Sequence, residues 1–199
     1  WSPGTTANVV VADDDRLICA NVGDSRSLLF RRGSAEAATS LSKDHDTWFR
    51  EDERQRVESS GVAIISPPPP PAFLSSFPAF KMLYTVLVGC PRVWKQDGTR
   101  LVGGLNMTRS IGDMQLKPEV SSESDVREAK DVRIGSYVVT ATDGVWDELG
   151  AADIARIVKE TEEKVQGEEA TGLRLPRCEG VARIAALIVR TAAERGGSD

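Results

Sequence analysis

Residues 7–30 read ANVVVADDDRLICANVGDSRSLLF, and this stretch decides the fold class. Two runs rich in Val, Ile and Leu, at 8–12 and 17–21, are separated by three aspartates. β-Branched residues favour strands and aspartates favour tight turns, so the pattern predicts two strands around a hairpin loop. Residues 27–30 continue as a further strand. The chain therefore begins as β-structure.

The later part of the chain adds one clear strand and several helices. Residues 133–142 (RIGSYVVTAT) predict the clearest strand, and 62–65 a short one. The charged, Gly- and Pro-free stretch 50–60 predicts a solvent-exposed helix. Apolar residues at helical spacing predict two more helices, at 150–160 and 179–195. The polar, glycine-bearing residues 162–176 between them predict a loop. Strands early and long helices late favour an α+β fold over a parallel βαβ repeat.

Composition excludes several classes of function. The chain has 199 residues, enough for one domain with a sizeable core, and 40% of them are apolar. A net charge of −5 disfavours a general nucleic-acid binder. The sequence contains no run of 18 or more uncharged apolar residues, so a membrane-spanning helix is not expected. Cys19, Cys90 and Cys178 are too scattered for a disulfide framework or a zinc site. We expect buried, unreactive cysteines and an intracellular location, cytoplasmic or nuclear.

Residues 66–91 differ in composition from the rest of the chain. They contain five consecutive prolines, Pro67–Pro71, and a single charged residue. The prolines favour an extended polyproline II segment. Three interpretations remain open: an inserted surface loop, a docking site for a proline-recognition partner, and translated non-coding sequence.

Four aspartates could bind a metal ion. Asp24 follows a strand, Asp143 ends the clearest strand, Asp147 comes four residues later, and Asp199 follows the last helix. Carboxylates at element ends beside glycines can converge, and Mg²⁺ and Mn²⁺ prefer such oxygen ligands. A structural explanation is also open for each of them, because Asp-Gly is an ordinary turn and Asp147 could cap a helix.

His45 is the only histidine, and it lies between Asp44 and Asp46. A lone imidazole can act as a general acid or base, but more often it is hydrogen-bonded in a loop, which is the interpretation we favour. The two flanking carboxylates would hold it protonated if they lie near it. No G-x-S-x-G elbow suggests a serine nucleophile.

Six stretches, in this order, resemble the type 2C (PPM family) metal-dependent protein serine/threonine phosphatases: 3–7 (PGTTA), 19–26 (CANVGDSR), 41–45 (LSKDH) with 53–61, 100–113 (RLVGGLNMTRSIGD), 140–149 (TATDGVWDEL) and 196–199 (GGSD). Each motif alone is weak, but their shared order over nearly the whole chain is specific.

The resemblance implies a central pair of antiparallel β-sheets flanked by helices. It also implies hydrolysis of phosphoserine and phosphothreonine in phosphoprotein substrates by a water activated by Mg²⁺ or Mn²⁺. His45 matches a family position that is not the general acid. The implied metal site is carried by the following residues: Asp143 and Asp199 at the catalytic metal centre; Asp24 and Asp147, with Asp143, at an additional, weaker site; and Gly144 and Thr6 as nearby support.

The sequence also departs from the family pattern. No stretch resembles the family's front third, which carries an acidic pair, an Asp-Gly-His-Gly motif and a phosphate-binding arginine. We therefore expect residues 1–199 to be a partial domain, incomplete on its N-terminal side and with a proline-rich insertion at about 66–91. The general acid is expected in the missing part, so the chain alone should be nearly inactive. The alternative is a non-catalytic pseudophosphatase or regulatory binding module.

Overall fold

A computed structural model gives the fold of most of the chain. It describes residues 3–31, 38–46, 50–60, 63–65, 92–97, 100–170 and 177–196. The described residues form two compact units, one drawn from 1–7, 21–24 and 44–125 and the other from 8–20, 25–43 and 126–199. The predicted insertion at about 66–91, with Pro67–Pro71, lies outside the described residues, and so does Asp199.

Eleven strands and four α-helices are present among the described residues. The strands are β1 (Gly4–Thr5), β2 (Ala7–Asp13), β3 (Arg16–Val22), β4 (Arg26–Phe30), β5 (Thr39–Ser40), β6 (Ala63–Ile65), β7 (Arg92–Asp97), β8 (Arg100–Leu105), β9 (Ile111–Gly112), β10 (Asp125–Ala129) and β11 (Tyr137–Ala141). The helices are α1 (Glu51–Ser59), α2 (Asp143–Trp146), α3 (Ala151–Ala170) and α4 (Arg177–Arg195). The predicted α+β class with antiparallel sheets is confirmed.

Two three-stranded sheets dominate the second unit, with strand orders β10-β3-β2 and β11-β4-β5. β4 is antiparallel to β11, with Phe30 opposite Tyr137 and Arg26 opposite Ala141. Successive side chains of a strand point to opposite faces of the sheet, so the side chains of β4 contribute to two hydrophobic cores, one on each face. Leu29 packs with residues of β3 and β10, whereas its neighbours Leu28 and Phe30 pack against the helices. The two sheets thus lie face to face, and helices cover the outer side of one of them.

The helical layer of this unit consists of α2, α3 and α4. Apolar residues of α3 and α4 recur at helical spacing and bury one side of each helix. The core that they form with β4 contains Leu28, Phe30, Trp146, Leu149, Ile154, Ile157, Val158, Ile184, Ile188 and Ala192.

The first unit is smaller and less regular. β1 pairs with β9, and β6, β7 and β8 form an antiparallel sheet. Its core includes Val57 of α1 together with Leu116 and Val120, all almost completely buried. α1 was predicted to be a solvent-exposed helix, and this is only partly correct, because Val57 and Glu53 are buried.

Two predictions about the second half of the chain are wrong in extent. The predicted loop at 162–176 is helical as far as Ala170, because α3 continues through residues with good helix propensity and tolerates Gly167. The predicted strand at 133–142 begins only at Tyr137, since Arg133, Ile134 and Gly135 form a turn in which Ile134 is 95% exposed.

The described cysteines differ in their exposure to solvent. Cys19 is buried as expected, and burial raises the pKa of its thiol. Cys178 is exposed, so the prediction of a buried residue is wrong there, while Cys90 lies outside the described residues. None of the helices that the structure describes is both long and apolar enough to cross a membrane.

Candidate functional site

Asp143 and Asp147 lie at the two ends of α2, directly after β11. Asp143 is the first residue of the helix and is exposed, and its Oδ1 accepts a hydrogen bond from the Gly144 N–H at 2.9 Å. The Asp147 N–H donates to the Asp143 carbonyl at 2.8 Å, so the two residues are one helical turn apart. The expected Asp-Gly turn is therefore a short helix.

Asp147 directly follows the last residue of α2. At the start of α3, the Gly150 N–H donates to Asp153 Oδ2 at 3.3 Å. The exposed carboxylate of Asp147 remains a candidate ligand.

Trp146 fixes α2 to the sheet beneath it. The indole is buried, and its Nε1 donates to two backbone carbonyls, Ala141 at 2.9 Å and Arg26 at 3.1 Å. These carbonyls belong to the paired ends of β11 and β4. The start of α2, with the carboxylate of Asp143, is therefore held on a rigid element, as an ion-binding side chain requires.

Asp24 lies in the turn between β3 and β4. The preceding residue, Gly23, has φ +98°, a conformation that favours glycine. A Cβ atom on Gly23 would lie only 2.4 Å from Thr6 Cγ2, so Thr6 closes the space beside this turn. Within the first unit, the structure thus brings Thr6 next to the segment that carries Asp24.

His45 contacts the same glycine. Its imidazole is completely buried, with Nδ1 3.1 Å from the Gly23 nitrogen and Nε2 3.2 Å from Asp125 Oδ2. The His45 N–H also donates to the Gly23 carbonyl at 3.0 Å. The expectation of a hydrogen-bonded loop histidine agrees with this geometry.

The environment of His45 favours the neutral form of its imidazole. Burial lowers the pKa of the imidazole below its usual value, and the Arg109 guanidinium acts in the same direction. The carboxylate that opposes this effect most is that of Asp125, and neither Asp44 nor Asp46 contributes among the main causes. Sequence neighbours are poor guides here because adjacent side chains of an extended segment point to opposite sides.

A partly buried cluster of charged residues lies beside His45, and the sequence did not predict it. We call it the Glu53 cluster, and it consists of Glu53, Arg50, Arg56, Thr108, Arg109 and Asp125. Glu53 is 2% exposed and accepts from Thr108 Oγ1 at 2.6 Å, Arg56 Nη2 at 2.9 Å and Arg109 Nε at 3.1 Å. Burial alone would raise the pKa of Glu53, but these donors outweigh it and lower the pKa to about 2.

Asp125 joins the Glu53 cluster to His45. It accepts from Arg50 Nη1 at 2.7 Å and from Arg109 Nη1 at 3.2 Å. Burial opposes ionisation of this carboxyl, but the two guanidinium groups lower its pKa below the usual range. The only available sequence signal was the three-residue spacing of Arg50 and Glu53 at the start of the predicted helix, and nothing in the sequence pointed to Asp125 or Arg109 as partners.

The ligand type of the candidate residues fits a hard divalent cation. Asp24, Asp143 and Asp147 offer only carboxylate oxygens, which suit Mg²⁺ and Mn²⁺ better than soft metals. Within the part of the chain that the structure describes, no three His, Cys, Asp or Glu side chains form a group that could hold an ion. The metal site therefore stays a prediction.

Comparison with known proteins places the chain in a family. The sequence profile described as Protein phosphatase 2C matches residues 1–67 and 90–199. Probable protein phosphatase 2C 11 of Arabidopsis thaliana is 37% identical over 158 residues, which cover 79% of this chain and 33% of that protein. Probable protein phosphatase 2C 8 of Oryza sativa subsp. japonica is 32% identical, covering 98% of this chain and 40% of that protein. The chain belongs to the Protein phosphatase 2C family, and its matches cover 33% and 40% of the length of these two relatives.

Solved structures show the same fold. A Caenorhabditis elegans sex determining protein superposes with a TM-score of 0.67 at 23% identity, covering 98% of this chain and 38% of that one. The catalytic domain of the serine/threonine phosphatase PstP, in complex with two manganese ions, gives 0.52 at 19% identity, covering 98% and 55%. At these identities the likeness concerns the fold alone. It agrees with the predicted arrangement of two antiparallel sheets flanked by helices.

Proposed function

We propose that this chain is part of a metal-dependent phosphatase that hydrolyses phosphoserine and phosphothreonine in proteins. Family membership is the observation that supports this proposal most strongly. The exposed carboxylate of Asp143 at the start of α2, anchored through Trp146, is the feature of this chain that agrees with it.

The roles proposed for individual residues follow the resemblance. Asp143 and Asp199 hold the catalytic metal centre, and Asp24 and Asp147 add ligands to a further, weaker site together with Asp143. Mg²⁺ or Mn²⁺, when bound, would supply a water that is acidic enough to attack phosphorus at neutral pH. Gly144 holds the Asp143 carboxylate in one orientation through its N–H, so that less ordering is needed when an ion binds.

The chain as given is proposed to have little activity by itself, because the general acid and further ligands are expected outside it. The alternative proposal is a non-catalytic relative that binds phosphoproteins without hydrolysing them. The presence of four matched aspartates favours the enzyme, since a binding module does not need them. Cytoplasmic or nuclear location is likewise proposed from the scattered cysteines alone.

Asp143→Asn gives the direct test. In the complete protein this change should abolish Mn²⁺-dependent release of phosphate from a phosphothreonine peptide. Asp147→Asn should be milder and mainly raise the Mn²⁺ concentration required for half-maximal rate. Asp14→Asn is the matched control, because Asp14 is an exposed turn residue with φ +51° that asparagine tolerates equally well. Wild-type rates from Asp143→Asn would contradict the site. Retained peptide binding without any turnover by the wild type would favour the non-catalytic alternative.

The proline run carries a separate proposal. Pro67–Pro71 is proposed as a ligand for a proline-recognition domain. Capture of the chain by SH3 or WW domains, lost when the five prolines are replaced by alanine, would support it. Equal capture of the wild type and the alanine variant would contradict this proposal.

A further inference from the structure

The hydrogen bonds around Gly23 define which nitrogen of His45 carries the proton. The Gly23 carbonyl already accepts from the His45 N–H at 3.0 Å and from Asn21 Nδ2 at 3.1 Å. The Gly23 N–H points to His45 Nδ1 at 3.1 Å, in a buried environment where an unsatisfied donor is costly. Nδ1 also lies 3.1 Å from the Gly23 carbonyl oxygen, but that oxygen already accepts from two donors. Nδ1 therefore serves as the acceptor for the Gly23 N–H, and the neutral ring carries its proton on Nε2.

The opposite side of the ring faces a carboxylate that is held ionised. Asp125 Oδ2 lies 3.2 Å from Nε2, although the pair is not aligned as a hydrogen bond. Arg50 and Arg109 bind the same carboxylate, and Arg109 also binds Glu53. His45 is thus fixed between the Glu53 cluster and the backbone of Gly23.

Several contacts hold the backbone of Gly23 in its conformation. Two bonds to His45 and one to Asn21 hold its peptide groups, and Thr6 occupies the space beside its Cα. Asp24 is the next residue, so the orientation of its backbone is set by the same contacts. A ligand side chain held by supporting hydrogen bonds binds metal more tightly than one that must be ordered on binding.

We propose that His45 is a positioning residue for Asp24: its Nδ1 accepts the Gly23 N–H and so fixes the backbone that carries Asp24, the proposed metal ligand. The proposal rests on the function proposed above, because only a metal site at Asp24 gives this orientation a purpose. His45 itself touches neither metal nor substrate. Its role depends on the tautomer and on one acceptor atom.

Two substitutions of His45 by amide residues distinguish the hydrogen bond to Gly23 from the packing contribution of the ring. In His45→Asn the side-chain oxygen can take the place of Nδ1 and keep the acceptor for Gly23. In His45→Gln the longer amide reaches the place of Nε2, so it keeps the contact with Asp125 and loses the one with Gly23. Both variants lose the ring and should lose stability to a similar degree, so a difference between them reports on Gly23.

Three measurements on the full chain test the proposal. Calorimetric titration with Mn²⁺ alone gives the affinity, and Asp24→Asn identifies the binding step that depends on Asp24. We expect His45→Gln to weaken that step about tenfold or more and His45→Asn to change it about threefold at most. Amide hydrogen exchange at Gly23 should accelerate in His45→Gln and stay slow in His45→Asn. The ¹⁵N signals of the single histidine should show an unprotonated Nδ1 in the wild type.

Each outcome has a distinct meaning. Equal effects of the two variants on Mn²⁺ affinity and on Gly23 exchange would overturn the proposal, and so would a proton on Nδ1. The tautomer is read from the wild type, so this test survives if both variants fail to fold. If the wild type shows no Asp24-dependent Mn²⁺ step, the metal role of Asp24 fails, and with it the positioning role, whatever the tautomer.

Discussion

Glu53→Gln removes the negative charge at the centre of the Glu53 cluster with almost no change in shape. Glu53 is 2% exposed, and it accepts from Arg56, Thr108 and Arg109. An amide can accept at only one of its two positions, and it leaves the guanidinium groups without a counter-charge. Removing one partner of a buried ion pair typically costs about 3–5 kcal/mol. For a chain of this size the melting temperature should then fall by about 6–20 °C.

The pH dependence gives a second estimate of the free energy of unfolding that the Glu53 carboxylate contributes. A decrease in the pKa of Glu53 from its ordinary 4.5 to about 2 corresponds to about 3 kcal/mol of stability. Because the pKa is depressed in the folded state, this stability is fully present above pH 4.5. It is lost as the pH falls from there towards 2. The gap between the wild type and Glu53→Gln should therefore be largest near neutral pH and should narrow below pH 4.5.

Urea unfolding followed by circular dichroism at pH 7, 5 and 3 measures both effects. Glu58→Gln is the matched control, because Glu58 lies on the same helix and forms an exposed pair with Arg54 at 3.0 Å. That change should cost no more than about 0.5 kcal/mol. A loss below about 1 kcal/mol for Glu53→Gln, or a gap that does not change between pH 5 and 3, would refute the reasoning.

Three further changes have clear expected outcomes in the same unfolding assay. Gly23→Ala should lose roughly 2–4 kcal/mol, because φ is +98° and the new methyl group would overlap Thr6; an unchanged midpoint would contradict this packing. Gly167→Ala should instead gain about 0.5–1 kcal/mol, since no atom lies within 4 Å of the new Cβ in the helix interior, and any loss would show a hidden contact. Trp146→Phe should lose about 1–3 kcal/mol because it deprives two backbone carbonyls of their donor, whereas full retention of stability would show that neither bond matters.

Local patterns predicted the elements of the fold but not all of their ends. The strands around the aspartate turn and the helix at 179–195 followed from residue type and period, and β2, β3 and α4 confirm them. The helix at 150–160 was predicted too short, because its later turns are polar and contain Gly167. Ion pairs such as the one between Arg183 and Glu168, at 2.9 Å, connect this polar half to α4. Such long-range pairs leave no trace in a local window.

The candidate site was predictable only through the ordered motifs. Strand ends and glycines singled out Asp24 and Asp143, and the structure puts them on a turn and at a helix start. The surroundings of His45 could not be predicted, because its main partners, Gly23 and Asp125, are 22 and 80 positions away. The charge of Glu53 suggested an exposed residue. Its burial is possible because Arg56, on the same helix, and Thr108 and Arg109, distant in the sequence, donate hydrogen bonds to its carboxylate.

The pairing of β4 with β11 has a consequence for how the protein is made. Phe30 and Tyr137 are neighbours in the sheet but 107 positions apart in the chain. β4 can pair with β5 early in synthesis, but more than a hundred residues must leave the ribosome before β11 can pair with its other edge. This delay predicts slow folding and a need for protection of the unpaired edge. Once a loop is that long, lengthening it is cheap. A segment the size of residues 66–91 adds only about 0.2 kcal/mol to its closure, so evolution could insert such a segment with little effect on the fold.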